Sequence, residues 1–415
     1  MTFAEAYGMS SQALLQALRD DPTSAVAVYE YAIELLKSVQ STRTTVGGEG
    51  GSASSNKERR RSFVADVRLS DMLPPNLSTE AAAVIKPKDA RHRSNFKRQS
   101  DVQVDLIPFV IRALQGEFYD NEIMMQLPLV FEELNEASGI YALTSSMDET
   151  RRATCSIMSI LWLCRNDYES FTADQDPSTK LSRELWDQLQ HFVHWAGLSP
   201  EVIATLLVFL SIRGVGKVRP VTKLLPKDHC TPEAATYHII DIKPELIPSM
   251  RLLNYDMREL VKSTLVTQSI FNFAQMLQGE NNPHAVLELQ EAMRDEGNDE
   301  LLKFYLFAVV GIMCGVSGHE SLNGSLFMNT ERGTNIVRGL QCLQSLGSSS
   351  PQAIYWTCIT SQAHGIGLPP CETSEDLAIA RLVCLVRASK KDLVPLRETW
   401  LSLQMTERAM LTSHL

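Results

Sequence analysis

From about residue 105 onward the apolar positions recur at helical rather than strand spacing. Leu181, Leu185, Trp186, Leu189, Phe192, Val193 and Ala196 fall at i, i+3, i+4 and i+7, which predicts one amphipathic helix closed by Gly197. Ser199-Pro200-Glu201 predicts a restart, an N-cap followed by proline at the first helical position, and the apolar run then continues to about Ile212. Ser350-Pro351 and Thr373-Ser374-Glu375 are further starts, and Thr330 is expected to cap a helix carrying Ile336, Val337, Leu340 and Leu343. Residues 10–40 read as two helices, the second opening at Asp21-Pro22. Gly139–Leu143 and Tyr237–Ile242 are candidate short strands. No strand–helix alternation and no internal repeat is visible, so the expected fold class is mainly α.

Two polar stretches interrupt the pattern. Thr42–Arg61 contains Gly47-Gly48-Glu49-Gly50-Gly51-Ser52 and the run Lys57-Glu58-Arg59-Arg60-Arg61, and Lys86–Arg98 carries six basic residues. Both read either as solvated loops or as basic arms near a polyanion. Pro226, Pro232, Pro244 and Pro248 mark the most irregular interior stretch, and a lobe boundary is placed near it. The expected organisation is an N-terminal arm with first helices (1–40), irregular basic loops (41–104), an N-terminal helical lobe (105–230), a C-terminal helical lobe (231–390) and a C-terminal arm (391–415). In that last segment Leu396, Trp400 and Leu403 form a one-sided apolar stripe, suited to docking on a neighbour or to closing the chain's own core.

Composition narrows the classes. The chain has 415 residues, 44% of them hydrophobic and 21% charged, enough to bury a sizeable core and incompatible with wholesale disorder. Its apolar run Phe304–Val316 is shorter than a membrane span and reads as a buried helix; no membrane partner is expected. Met1–Gln12 lack the basic and apolar regions of a signal peptide. The eight cysteines form no C-x-x-C pair and mostly sit in apolar stretches, which suits reduced buried thiols.

Catalytic motifs are scarce: there is no P-loop, no G-x-G-x-x-G and no G-x-S-x-G. His191 and His194 lie i,i+3 on one helix without a second ligand pair, and Cys358 with His364 would be nucleophile and base only by accident of fold. The chain is therefore expected not to be an enzyme and to need no cofactor. The informative charge feature is Phe209–Lys227. In a chain of net charge −10 it carries Arg213, Lys217, Arg219, Lys223 and Lys227 without one acid. An apolar helix ends there, and Gly214 and Gly216 let backbone N–H groups approach phosphate oxygens. Two other readings stand beside it: a solvated loop paired with the acidic 280–300 window, and a helix-hairpin-helix.

Several segments, in order, resemble the nucleoproteins of non-segmented negative-strand RNA viruses, such as those of paramyxoviruses and bornaviruses. They are the apolar helix Ile157–Arg165, the Leu181–Trp186 helix, Phe209–Arg213 with Lys217, Arg219 and Pro220, the aromatic-rich Phe304–Ile312, the Asn329/Arg332 pair and Glu375–Val383. The resemblance covers roughly residues 150–390. It departs where Val310 and Gly311-Ile312-Met313 stand in place of the paramyxovirus Ala-Met-Gly. It implies two helical lobes with an intervening cleft, terminal arms and two flexible polar loops. It implies sequence-independent binding of single-stranded RNA in that cleft and polymerisation along it, as a homo-oligomer joined through the arms. Viral phosphoprotein and polymerase would be further partners, and the location would be a virion nucleocapsid and the host-cell cytoplasm or nucleus. The RNA-binding residues it implies are Arg165, Lys180 and Arg183 from the first lobe, Arg213, Lys217, Arg219 and Lys223 from the hinge side, and Lys262, Asn329 and Arg332 from the second lobe. The alternative class is a helical scaffold or adaptor that binds other proteins through apolar helix faces.

Overall fold

The computed structural model describes residues 105–144, 147–223, 225, 231–295 and 299–415. The expected helices within 10–40, both basic loops, Pro226 and Lys227 lie outside the described residues. The described residues divide into two compact units, 105–365 and 366–415. Position 230, where a lobe boundary was expected, falls inside the first of these.

Regular structure in the larger unit is helical, and no strand occurs among the described residues. In order come α1 (Leu106–Leu114), α2 (Asp120–Val130), α3 (Asp148–Cys164), the single turn α4 (Tyr168–Phe171), α5 (Arg183–Ala196) and α6 (Pro200–Ile212). There follow the single turn α7 (Arg219–Thr222), α8 (Pro232–Ile242), α9 (Tyr255–Ile270), α10 (Phe273–Leu277), α11 (Pro283–Asp295), α12 (Asp299–Cys314), α13 (Thr330–Gln344) and α14 (Pro351–Gly365). The other unit contributes α15 (Ser374–Leu385), α16 (Leu393–Ser402) and α17 (Met405–His414).

The core of the larger unit is built on α6. Every residue from Val202 to Ile212 is buried, so this helix is apolar all round and surrounded on all sides. It packs against α3 and α12, which are buried along most of their lengths. Phe209 meets Phe304 edge-on at 6.1 Å, and Phe192 of α5 stacks on Phe307 at 5.2 Å. Gly311 lets the three central helices close: a Cβ there would lie 2.8 Å from Leu210 Cδ1 and 3.2 Å from Ile160. The Phe304–Val316 run is thus a core helix, as its length predicts, and no single described helix is long and apolar enough to cross a membrane.

The expected helix punctuation appears largely as read. Ser199 accepts from the N–H group of Val202, Gly197 takes a left-handed φ of 56°, and Thr373 forms a capping box with Asp376, while α5 starts just after the expected Leu181, with Ser182 as its N-cap accepting from the Leu185 N–H. Three local expectations are corrected. Asn329, not Thr330, caps α13 by accepting from the Arg332 N–H at 3.0 Å. Gly139–Leu143 is not a strand: Ile140–Leu143 forms a 3-10 turn, which satisfies its own backbone where no partner strand exists. Tyr237–Ile242 belongs to α8. Its apolar residues lie on a helical face, and Thr231 and Pro232 supply a strong start. Pro244 and Pro248 each open a short 3-10 helix, so the prolines that look like breakers in sequence act here as initiators.

In the smaller unit Leu396 and Trp400 are buried, and Trp400 Nε1 donates to Glu375 at 2.5 Å, so these positions of the C-terminal stripe serve the chain's own packing. All described cysteines are free thiols, most of them buried.

Two substitutions test this architecture. Asp120 accepts from Trp162 Nε1 and pairs with Arg165, both at 2.7 Å, joining the start of α2 to the end of α3. Asp120→Ala strands a guanidinium whose side chain is only 11% exposed, and is expected to cost about 3 kcal/mol in urea unfolding. Gly216→Ala would place a Cβ 1.9 Å from the Pro232 carbonyl oxygen, and is expected to lower stability by about 1–3 kcal/mol in the same measurement.

Candidate nucleic-acid interface

The ten residues expected to meet RNA are used in three different ways. Arg165 and Lys262 are fasteners. Arg165 caps α3 and pairs with Asp120 at 2.7 Å and Asp167 at 3.6 Å. Lys262 on α9 reaches Asp241 on α8 at 2.7 Å and Glu259 at 3.6 Å. Partial burial works against its charge, but Asp241 more than offsets this and holds its pKa above the usual lysine range. Neither residue joins the others.

Lys180, Arg183, Asn329 and Arg332 are brought together, because α5 and α13 begin at one junction. The Thr330 N–H donates to the Thr179 carbonyl at 2.9 Å, the Thr330 hydroxyl donates to the Lys180 carbonyl at 2.5 Å, and the Ser182 N–H donates to that same hydroxyl at 3.0 Å. Buried Gln175 is a second strut: its amide donates to the carbonyls of Ser325 and Met328 and accepts from the Leu181 N–H. Two helix N-termini, with their unsatisfied N–H groups, therefore open side by side. The Arg183 guanidinium lies 3.5 Å from the centroid of the Tyr168 ring, Lys180 Nζ lies 5.2 Å from the same centroid, and Arg332 lies 4.8 Å from that of Phe327. The positive charge is partly answered, since Glu169 pairs with both Arg183 and Lys180 and Glu184 and Glu331 sit in the first helical turns. Arg332 is exposed and has no ion-pair partner among the described residues.

The third group follows α6. A 3-10 turn, Val215–Lys217, and the single turn α7 carry Lys217, Arg219 and Lys223, all exposed. With only one turn after the glycines, the helix-hairpin-helix reading is not met. Lys217 reaches Glu149 on α3 at 3.1 Å, and among the described residues no ion pair is formed by Arg219 or Lys223. The turn is held from behind. The Gly216 N–H donates to the Thr236 hydroxyl at 2.9 Å, and the buried Tyr141 hydroxyl donates to the Ser211 carbonyl at 2.7 Å.

Arg213 occupies the α6 C-cap. Its Nε is buried and has no hydrogen-bond partner. Burial presses the guanidinium pKa below its usual range, against the opposing pull of Glu149, Glu233 and Tyr141. Lys217 is also lowered, first by burial and then by Arg213. Burial alone would raise Glu149, but the Lys217 charge and hydrogen bonds from Lys217 and Arg152 hold it below the ordinary carboxylate range. Arg152 on α3, which pairs with Glu149 at 2.8 Å, is the member that sequence reasoning missed. Its i,i+3 pairing with Glu149 is readable from sequence, whereas its meeting with Lys217 requires the fold.

No His, Cys, Asp or Glu cluster among the described residues is arranged to hold a metal ion. His191 lines a groove of about 310 Å³ between α5 and α13 with Gln188, Trp195 and Gln341, and Cys358 is fully buried. No curated protein and no solved structure matches the chain. One family model matches residues 135–415, a span that takes in every helix from α3 to α17 and all ten candidate residues. The chain accordingly belongs to the family of unknown function DUF6829.

Proposed function

We propose that the chain is a non-enzymatic, nucleoprotein-type protein that binds single-stranded RNA without sequence preference and assembles in several copies along it. The observation that carries this reading is the surface after α6. Lys217, Arg219 and Lys223 stand exposed within a few residues of one another, Arg152 is added from α3, and two of these cations have no acidic partner among the described residues, in a chain whose net charge is −10. Such a surface suits a sugar-phosphate backbone, which carries charge at every step and no sequence information. The paired N-termini of α5 and α13, with Arg183 and Arg332 over aromatic rings, offer a second place for phosphate and stacked base. Polymerisation, the terminal arms as its joints, further viral partners and a nucleocapsid location belong to the same proposal and rest on the resemblance.

A specific observation favours the adaptor class as a second reading. Met125 and Leu129, one helical turn apart on α2, are each 67% exposed, and Tyr119 at the head of that helix is 77% exposed.

The two readings separate in one experiment. Filter binding of labelled single-stranded RNAs of unrelated sequence is expected to give equal affinities that fall with salt. Arg219→Glu with Lys223→Glu is expected to weaken all of them alike and to flatten the log–log salt slope by roughly 1.4, at about 0.7 per phosphate contact. Negative-stain microscopy of the RNA-bound protein is expected to show rings or filaments. Absence of retention at low salt, with only small defined complexes by light scattering, would leave the adaptor reading.

A further inference from the structure

Charged side chains taken out of water are normally paired, and a buried guanidinium with unmade hydrogen bonds asks for an explanation. Arg213 is such a group. Its Nε is sealed from solvent without a partner, and its guanidinium makes no hydrogen bond or ion pair among the described residues. The residue as a whole is half-buried, at the point where the chain leaves α6. Two more cations meet it there. Lys217, with its side chain 36% exposed, and Arg152, at 34%, both point at the Glu149 carboxylate from 3.1 and 2.8 Å. Gly214 makes room for this approach, since a Cβ at that position would lie 3.0 Å from Glu149 Oε2 and 3.1 Å from the Tyr141 hydroxyl. The groups facing the recess are therefore Arg152, Arg213 and Lys217 against Glu149, with Glu233 of α8 acting from farther away and Tyr141 neutral behind them. Two positive tips share one carboxylate in contact, and the third cation, Arg213, has nothing to hold.

We propose that Arg152, Arg213 and Lys217 form a pocket for a single phosphate-type oxyanion, and that Glu149 is its built-in competitor. A tetrahedral oxyanion offers acceptor oxygens in several directions at once. It can take the Arg213 donors while keeping Lys217 and Arg152, which a planar carboxylate fixed to α3 does not do. The pocket needs one phosphate group and not a strand, so it stands or falls apart from the RNA reading. Its occupant is a phosphodiester of a bound strand or a free phosphate group, and the two sources share the same recognition chemistry.

The test uses the full chain. Thermal unfolding is followed in inorganic phosphate and in chloride at matched ionic strength, for the native protein and for Glu149→Gln. Phosphate is expected to raise the melting temperature beyond chloride. Glu149→Gln, which removes the competing charge while keeping a similar shape, is expected to bind phosphate about tenfold more tightly. Lys217→Gln and Arg152→Gln, both at part-exposed positions, are expected to abolish the phosphate-specific rise. A second arm displaces labelled single-stranded RNA with inorganic phosphate. Displacement at the concentration that stabilises the protein assigns the pocket to strand phosphate, and stabilisation without displacement assigns it to a free phosphate group; either supports the pocket. Equal melting in phosphate and chloride for both the native protein and Glu149→Gln would overturn it, whether or not RNA is retained.

Discussion

A helix that is apolar on every side has to be enclosed, and whatever follows it has to emerge from the core. That constraint governs this chain. α6 is buried from Val202 to Ile212, held between α3 and α12, and the next residue is Arg213. The first charged group after the core thus surfaces through a desolvated collar, and the turn beyond it is pinned by backbone contacts to α8 that leave no room for a side chain at Gly216. The basic segment is not a loop laid on the outside. It is the exit of the central helix, and its geometry is set by how that helix is packed.

The other cations obey a local rule. Where a carboxylate lies within reach, the attraction in a partly buried setting outweighs the cost of fixing the side chain, and the cation is drawn into the fold. Arg165 meets Asp120 and Lys262 meets Asp241 in this way, and each joins two helices that would otherwise splay. Where no carboxylate among the described residues pairs with the cation, as at Arg219, Lys223 and Arg332, the charge remains on the surface. Positive residues equally conspicuous in sequence therefore separate into ties and free charges according to what the packing brings beside them.

This is also the measure of what the sequence made legible. Helix spacing and the helix starts at Ser199 and Thr373 are local properties, and they were readable. The two candidate strands failed for an equally local reason: a short run of β-favouring residues has no meaning without a partner strand, and Tyr237–Ile242 had a strong helix start five residues earlier at Pro232. The grouping of site residues lay further from reach. That Asn329 and Arg332 stand beside Lys180 and Arg183 depends on the Thr330 hydroxyl bridging two segments about 150 residues apart. That Glu149 and Arg152 stand beside Lys217 depends on α3 lying against α6. Pattern reading identifies charges; only packing decides their neighbours.

The Thr330 and Gln175 junction bears on how the molecule acquires its structure. Its bonds link residues 175–182 to residues 325–330, with α6 and α12 in the intervening chain. Contacts of such sequence separation are entropically expensive to close and are rewarded only after the segments between them have condensed. The shared starting point of α5 and α13 is therefore a late event in folding, and a nascent chain emerging from the ribosome keeps both helix origins apart until residue 330 has been synthesised.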